Sequence, residues 1–151
     1  MDPTFAGFKQ WVQAIMAVPL GNMPSDATLQ AAYDESLNLT YYLLASIPSQ
    51  PTSPTIYALC VYNLGGAILL EIAQDDPNST YWADLRDKLG VNAFTPGLIN
   101  SAHDQHTSES MMIPNQLQNL TLWDLQLLKS PWGRRYLMFA GQWGTIWGLT
   151  A

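Results

Sequence analysis

Residues 53–75, SPTIYALCVYNLGGAILLEIAQD, decide the fold. Ser53 suits an N-cap, and Pro54 suits the first helical position, where its missing N–H costs nothing. Behind them Ile56, Leu59, Cys60, Leu64, Ala67, Ile68 and Ile72 recur at helical spacing, and Val61, Leu69 and Leu70 fill the other faces. A helix apolar nearly all round belongs in the middle of a core, with other helices around it. Gly65-Gly66 costs roughly 1 kcal/mol per glycine relative to alanine. The return expected is room for another backbone to approach closely. The fold class is therefore all-α: a small helical bundle around this central helix.

Upstream, Asp2 and Pro3 open a first helix running to about residue 18. Phe5, Phe8, Val12, Ile15 and Met16 form its apolar stripe, with Trp11 beside it. The stretch 19–24, PLGNMP, breaks the chain. Ser25 or Asp26 caps a second helix reaching about residue 46, with Leu29, Ala32, Tyr33, Ser36, Leu37, Thr40, Leu43 and Leu44 on its buried side. The linker 48–54 is short, so the second and third helices should pack as antiparallel neighbours.

Downstream, Asp75-Asp76-Pro77-Asn78 is a turn. Ser79 caps a helix over 81–89 that Gly90 closes. Trp82, Leu85 and Leu89 point inward, while Asp84, Arg86, Asp87 and Lys88 make a solvated face. From residue 91 to about 120 the helical period disappears, leaving a long irregular loop or a short hairpin, with 110–113 as a brief strand. A loop of this length is more often functional or partner-bound than idle. Two helices follow, over 121–128 and from 131 to about 140 behind a Ser130 cap. The chain thus divides into a helical bundle domain, 1–140, which includes the loop, and an extended C-terminal tail, 141–151.

At 151 residues the chain has the size of one domain. Charged residues make up 12% of it, about half the usual ~25%. Gln, Asn, Ser and Thr fill the deficit. Such a surface fits either an exterior largely covered by other subunits or a weakly charged monomer. The formal charge is −6, and six Lys and Arg form no stripe that could neutralise a run of phosphates. Direct nucleic-acid binding is thereby disfavoured. The opening residues, MDPTFAGFKQ, lack the pattern of a secretory signal. The uncharged run 56–70 is shorter than the ~20 residues a membrane span needs and carries Asn63, so no membrane partner is expected. Cys60, the single cysteine, reads as a small core residue.

Candidate chemistry is sparse. His103 and His106, three apart with Asp104 and Glu109 nearby, raise a metal site. The favoured reading is a pair of solvated loop histidines, so no metal or other cofactor is expected. Ser108 or Ser110 with His106 and Asp104 forms no nucleophile elbow, and triads are normally assembled from distant segments. Gly65-Gly66 lies within a helix rather than between strand and helix, so it is no phosphate cradle. Asp75, Asp76 and Asn78 lack the spacing of a calcium loop. No catalytic residue is assigned. The tail, GQWGTIWGLTA, differs: Trp143, Ile146, Trp147 and Leu149 are large apolar residues on a segment too rich in glycine for a stable helix. Aromatic anchors on such a segment suit a partner groove, the alternative being that the tail folds back on its own bundle.

The segment 121–137, TLWDLQLLKSPWGRRYL, resembles the end of the head-completion adaptor proteins of tailed bacteriophages, where a helix precedes a T/S-P-Y/W-G-x-x-Y/F-L motif and a short extension. Ser130, Pro131, Trp132, Gly133, Arg134, Arg135, Tyr136 and Leu137 carry the match. The long apolar helix and the order of helices are similar as well. The resemblance implies a non-enzymatic virion protein at the head–tail interface, assembled in the host cytoplasm into a ring, usually of twelve subunits, beneath the portal. On that reading Arg134, Arg135, Tyr136, Trp143, Ile146, Trp147 and Leu149 bind partners, the last four anchoring the portal. Residues 92–114 contact a neighbouring subunit or the tail or nozzle component. DNA passes through the lumen without specific binding, which a ring of chains at −6 each would assist. Two other expectations remain: another connector part, such as a stopper or terminator, or a small helical regulator binding metal through His103 and His106.

Overall fold

The computed structural model describes residues 2–40, 54–92, 101–104, 107–110 and 121–142. Its centre is a helix over Ile56–Ile72, here the third, α3, in which every residue from Cys60 to Leu70 is buried. The all-α bundle organised around an apolar helix is thus observed. The cap is Thr55 rather than Ser53, which lies outside the described residues: the Thr55 hydroxyl accepts a hydrogen bond from the Ala58 N–H at 3.0 Å. The helix therefore begins after Pro54 instead of including it, and it ends at Ile72 instead of Asp75.

The two glycines make room for side chains, not for a second backbone. A Cβ on Gly65 would lie 2.9 Å from the Phe8 ring, and one on Gly66 would lie 2.8 Å from the Trp11 ring. Both rings belong to α1, Phe5–Ala14. Phe8 also meets Tyr33 and Tyr62 at centroid distances of 5.8 and 5.9 Å, within the range of favourable aromatic pairing. The helical propensity given up at the glycines is thus offset by an aromatic cluster seated against α3.

Thr4, not Asp2, caps α1, its hydroxyl accepting from the Gly7 N–H. The Tyr62 hydroxyl of α3 accepts from the Thr4 N–H and donates to the Thr4 carbonyl, fixing where α1 starts. The helix stops at Ala14, four residues early, and Ala17 takes a positive φ of 56°. That turn swings Met16 and Val18 into the core and leaves Ile15 half exposed, off the stripe expected of it. A single 3₁₀ turn, Leu20–Asn22, leads to α2, Asp26–Leu39, which Ser25 caps through the Thr28 N–H. Leu29, Ala32, Tyr33 and Ser36 are buried at helical spacing against α3, and Thr40 is buried just beyond. The helix ends at Leu39, short of the expected end at about 46, because Thr40 takes an extended conformation at ψ 125°; Leu43 and Leu44 lie outside the described residues.

Helix α4, Tyr81–Leu89, has the expected limits, closed by Gly90 at φ 65°, a left-handed conformation that glycine adopts without a Cβ penalty. Its N-terminus is held from a distance. Both Asp75 carboxylate oxygens accept from its first turn, from the Trp82 N–H at 2.6 Å and the Ala83 N–H at 2.8 Å. Of the N–H groups at the start of α4, the Ser79 hydroxyl accepts from that of Tyr81. Arg86, expected on the solvated face, instead turns back to α3 and donates to the carbonyls of Leu70 and Ala73 at 3.2 and 2.6 Å. A guanidinium reaching the last carbonyls of a helix satisfies groups that have no partner within it.

Two strands, β1, Ser101–Asp104, and β2, Thr107–Ser110, form an antiparallel hairpin in which Ser101 pairs with Ser110 and His103 with Ser108. Of the expected strand over 110–113, Ser110 is the last residue of β2, and residues 111–120 lie outside the described residues. The chain continues with α5, Leu122–Leu127, and α6, Pro131–Gln142. Helix α6 continues two residues past the expected boundary at 140. It packs extensively along α3, as α2 does.

Burial pushes the Cys60 thiol up to about 12 and raises the Tyr136 phenol as well. Both groups hold their protons more tightly folded than unfolded. The thiol's contribution to stability is full below about pH 9 and is lost as pH climbs through about 12, and the raised phenol acts in the same direction. Native protein should therefore resist a thiol reagent at about pH 8 and label fully only in denaturant. Denaturant midpoints should fall as pH rises above about 9. Labelling of the native protein at the denatured rate would place Cys60 at the surface.

Candidate interaction surface

The α5–α6 corner is built by short-range capping on both helices. Thr121 and Asp124 form a reciprocal capping box, the Thr121 hydroxyl accepting from the Asp124 N–H and the Asp124 carboxylate from the Thr121 N–H. Ser130, 3% exposed, accepts from the Gly133 N–H at 2.9 Å and so caps α6 as expected, with Pro131 at its first position. Gly133 lies so close to the end of α5 that an added Cβ would be 2.1 Å from the Leu127 carbonyl oxygen. The Arg134 guanidinium donates to the Leu128 carbonyl at 3.0 Å, closing the end of α5 from the other side. Lys129 donates to the Val91 carbonyl, tying the corner to the end of α4.

The motif residues thus divide by role. Trp132 and Tyr136 are buried in the core and fasten α6 there. Tyr136 is in consequence covered by its own fold, whereas Arg134 and Arg135 are exposed. Trp143, Ile146, Trp147 and Leu149 lie outside the described residues.

Helix α5 supplies the feature that pattern reading passed over. Six residues long, it buries only Leu127. Leu122 is 80% exposed, Leu125 41% and Trp123 40%, while Met138 on α6 is 52% exposed. Leu122 and Leu125, three apart, share one stripe of the helix. A helix this short can dock one face only, so a composition of four large apolar residues in six, LWDLQL, was the available signal that some would remain outside. Burial raises the carboxyl of Glu71, near the end of α3, above the usual range, and the neighbouring Gln126 side chain of α5 opposes that shift.

A second concavity, of about 360 Å³, lies between the 3₁₀ turn, the start of α2 and the α3–α4 junction, lined by Asn22, Thr28, Gln74, Asp76 and Ser79 among others. Its polar groups are largely spent on joining elements: the Asn22 amide donates to the Ser79 hydroxyl, and the Trp82 indole donates to the Asn22 carbonyl.

Among the described residues no group of three His, Cys, Asp or Glu is placed to hold a metal ion. His103 sits in β1 opposite Ser108, and His106 lies outside the described residues. No described helix is long and apolar enough to cross a membrane. No family model, curated protein or solved structure matches the chain.

Proposed function

We propose that this protein is a structural component of a virion, a head–tail adaptor that assembles as a ring beneath the portal and passes DNA through its lumen. The observation that carries the reading is the α5–α6 corner. The motif shared with the adaptor family pins α6 to the core, and beside it stand uncovered apolar side chains on α5 and the exposed Arg134 and Arg135. A cluster of exposed large apolar side chains suits a protein contact. The low charge of the chain supports an exterior largely occupied by other subunits. In this reading the segment 143–151 leads from the end of α6 to the portal, with Trp143, Ile146, Trp147 and Leu149 as anchors.

Native mass spectrometry of the protein alone and mixed with its portal tests this. The expected result is a complex with a fixed ring ratio to the portal. A protein that stays monomeric and ignores the portal would overturn the reading. Because α6 extends to Gln142, the informative truncation removes 143–151 and leaves the helix whole. It should keep the helical circular dichroism and lose portal attachment. Unfolding on truncation would place the segment in the core.

A further inference from the structure

We infer that the polar cleft between the 3₁₀ turn, the start of α2 and the α3–α4 junction is a binding site for an aliphatic cation, a guanidinium or amine on a short carbon chain. This goes beyond the adaptor reading and does not depend on it. The cleft encloses about 360 Å³, the space of roughly a dozen waters at ~30 Å³ each, so a group of this size fits. Most of its polar groups hold the fold. The Asp75 oxygens accept from the Trp82 and Ala83 N–H groups, and the Arg86 guanidinium 3.9 Å away balances the charge. Asp26, next to the lining Ser25, is paired with Lys9 at 2.6 Å. The Asn22 amide nitrogen donates to the Ser79 hydroxyl, and Ser25 and Thr28 share a hydrogen bond across the first turn of α2.

What is left over defines the ligand. The Asp76 carboxylate, the Gln74 Oε1 and the Asn22 Oδ1 take no hydrogen bond among the described residues, and all three residues line the cleft. None of the described lining residues is basic, so Asp76 leaves the cleft an uncompensated negative charge. Met23, Pro24 and Ile72 add apolar wall, which suits a carbon chain behind a charged head. Among cations a guanidinium fits best. Its planar fork offers five donors to acceptors that stand on separate walls, and it sheds water more readily than an ammonium. An anion is opposed by Asp76, and an apolar ligand would cover the three acceptors without pairing them. The same head group can arrive on a diffusible molecule or on a basic side chain of a second copy, such as the exposed Arg135.

The test titrates butylguanidinium into the isotope-labelled protein and follows the backbone amide signals of residues 22–28 and 74–79 by nuclear magnetic resonance. The expected result is a saturable shift confined to those segments. Butylurea, the same shape without the charge, should bind about tenfold more weakly, and Asp76→Asn should weaken butylguanidinium by a similar factor. That is the low end of what a hydrogen bond between charged groups supplies, because Asp76 is exposed. The Asp76 side chain makes no bond within the described fold, so signals elsewhere should stay in place and confirm that the variant is folded. A shift that grows without saturating overturns the inference. So does saturable binding that butylurea matches or that Asp76→Asn leaves unchanged. The source of the head group is read by concentrating the protein alone. Movement of the same signals, reduced by Arg135→Gln, supports the site with a second copy as its ligand. Signals that stay in place, with butylguanidinium still binding, support it with a diffusible cation.

Discussion

Gly133→Ala should lower the unfolding temperature by about 6–12 °C, the shift corresponding to a loss of about 3 kcal/mol in a chain of this size. The added Cβ would stand 2.1 Å from the Leu127 carbonyl oxygen and 2.7 Å from its carbon. These are backbone atoms, so no rotamer change relieves the overlap. Relief requires α5 and α6 to separate, which would stretch the bond from the Gly133 N–H to the Ser130 hydroxyl and loosen Trp132 and Tyr136 in the core. The comparison that isolates the cause is Gly141→Ala in the same helix, where the new Cβ meets nothing within 4 Å. There alanine should be neutral or stabilise by about 0.5–1 kcal/mol through helix propensity. Thermal unfolding followed by circular dichroism reads both. Equal effects at the two positions would mean that the corner is not closed as described.

That contrast also gives the S-P-W-G motif a physical content. Serine is needed to cap, proline suits a position with no use for an N–H, tryptophan fills the core, and glycine permits the contact of two backbones. A motif of this kind records how a helix is fastened. What the fastened helix then touches depends on residues outside it.

The fold was legible wherever a helix has one clear reason to exist. α3 is apolar on all sides, and α4 carries an inward Trp82 with a closing glycine, so their cores and the end of α4 followed from spacing. The starts of α1 and α3 did not, because several residues in each place could cap and tertiary bonds chose among them. Tyr62, 58 positions away, fixes Thr4. Arg86 was misread, and the capping by Asp75 missed, for the same reason. By spacing, Arg86 belongs to a solvated face, and only the arrival of the end of α3 beside α4 gives it two carbonyls to reach. The uncovered side of α5 was hidden in another way. Its residues look like core residues, and exposure is decided by what packs on them.

Trp82→Ala is expected to cost about 3–5 kcal/mol, the range for removing a large aromatic from a packed core. Trp82 is 1% exposed and the largest fully buried side chain among the described residues. Its ring packs edge-on against Tyr81 at 5.3 Å, its indole N–H donates to the Asn22 carbonyl at 3.0 Å, and its backbone N–H is held by Asp75. It therefore joins the turn before α2, the end of α3 and the start of α4. Trp82→Phe separates packing from polarity. It keeps most of the apolar contact and gives up the bond to Asn22, whose carbonyl borders the polar cleft and can be hydrated there. The expected cost is about 1–2 kcal/mol. Chemical denaturation of the two variants should show this ordering with an unchanged denaturant slope, because the whole bundle still unfolds together. A loss for Trp82→Phe as large as for Trp82→Ala would instead assign the stability to the hydrogen bond. The joint between α2, α3 and α4 would then be polar at heart.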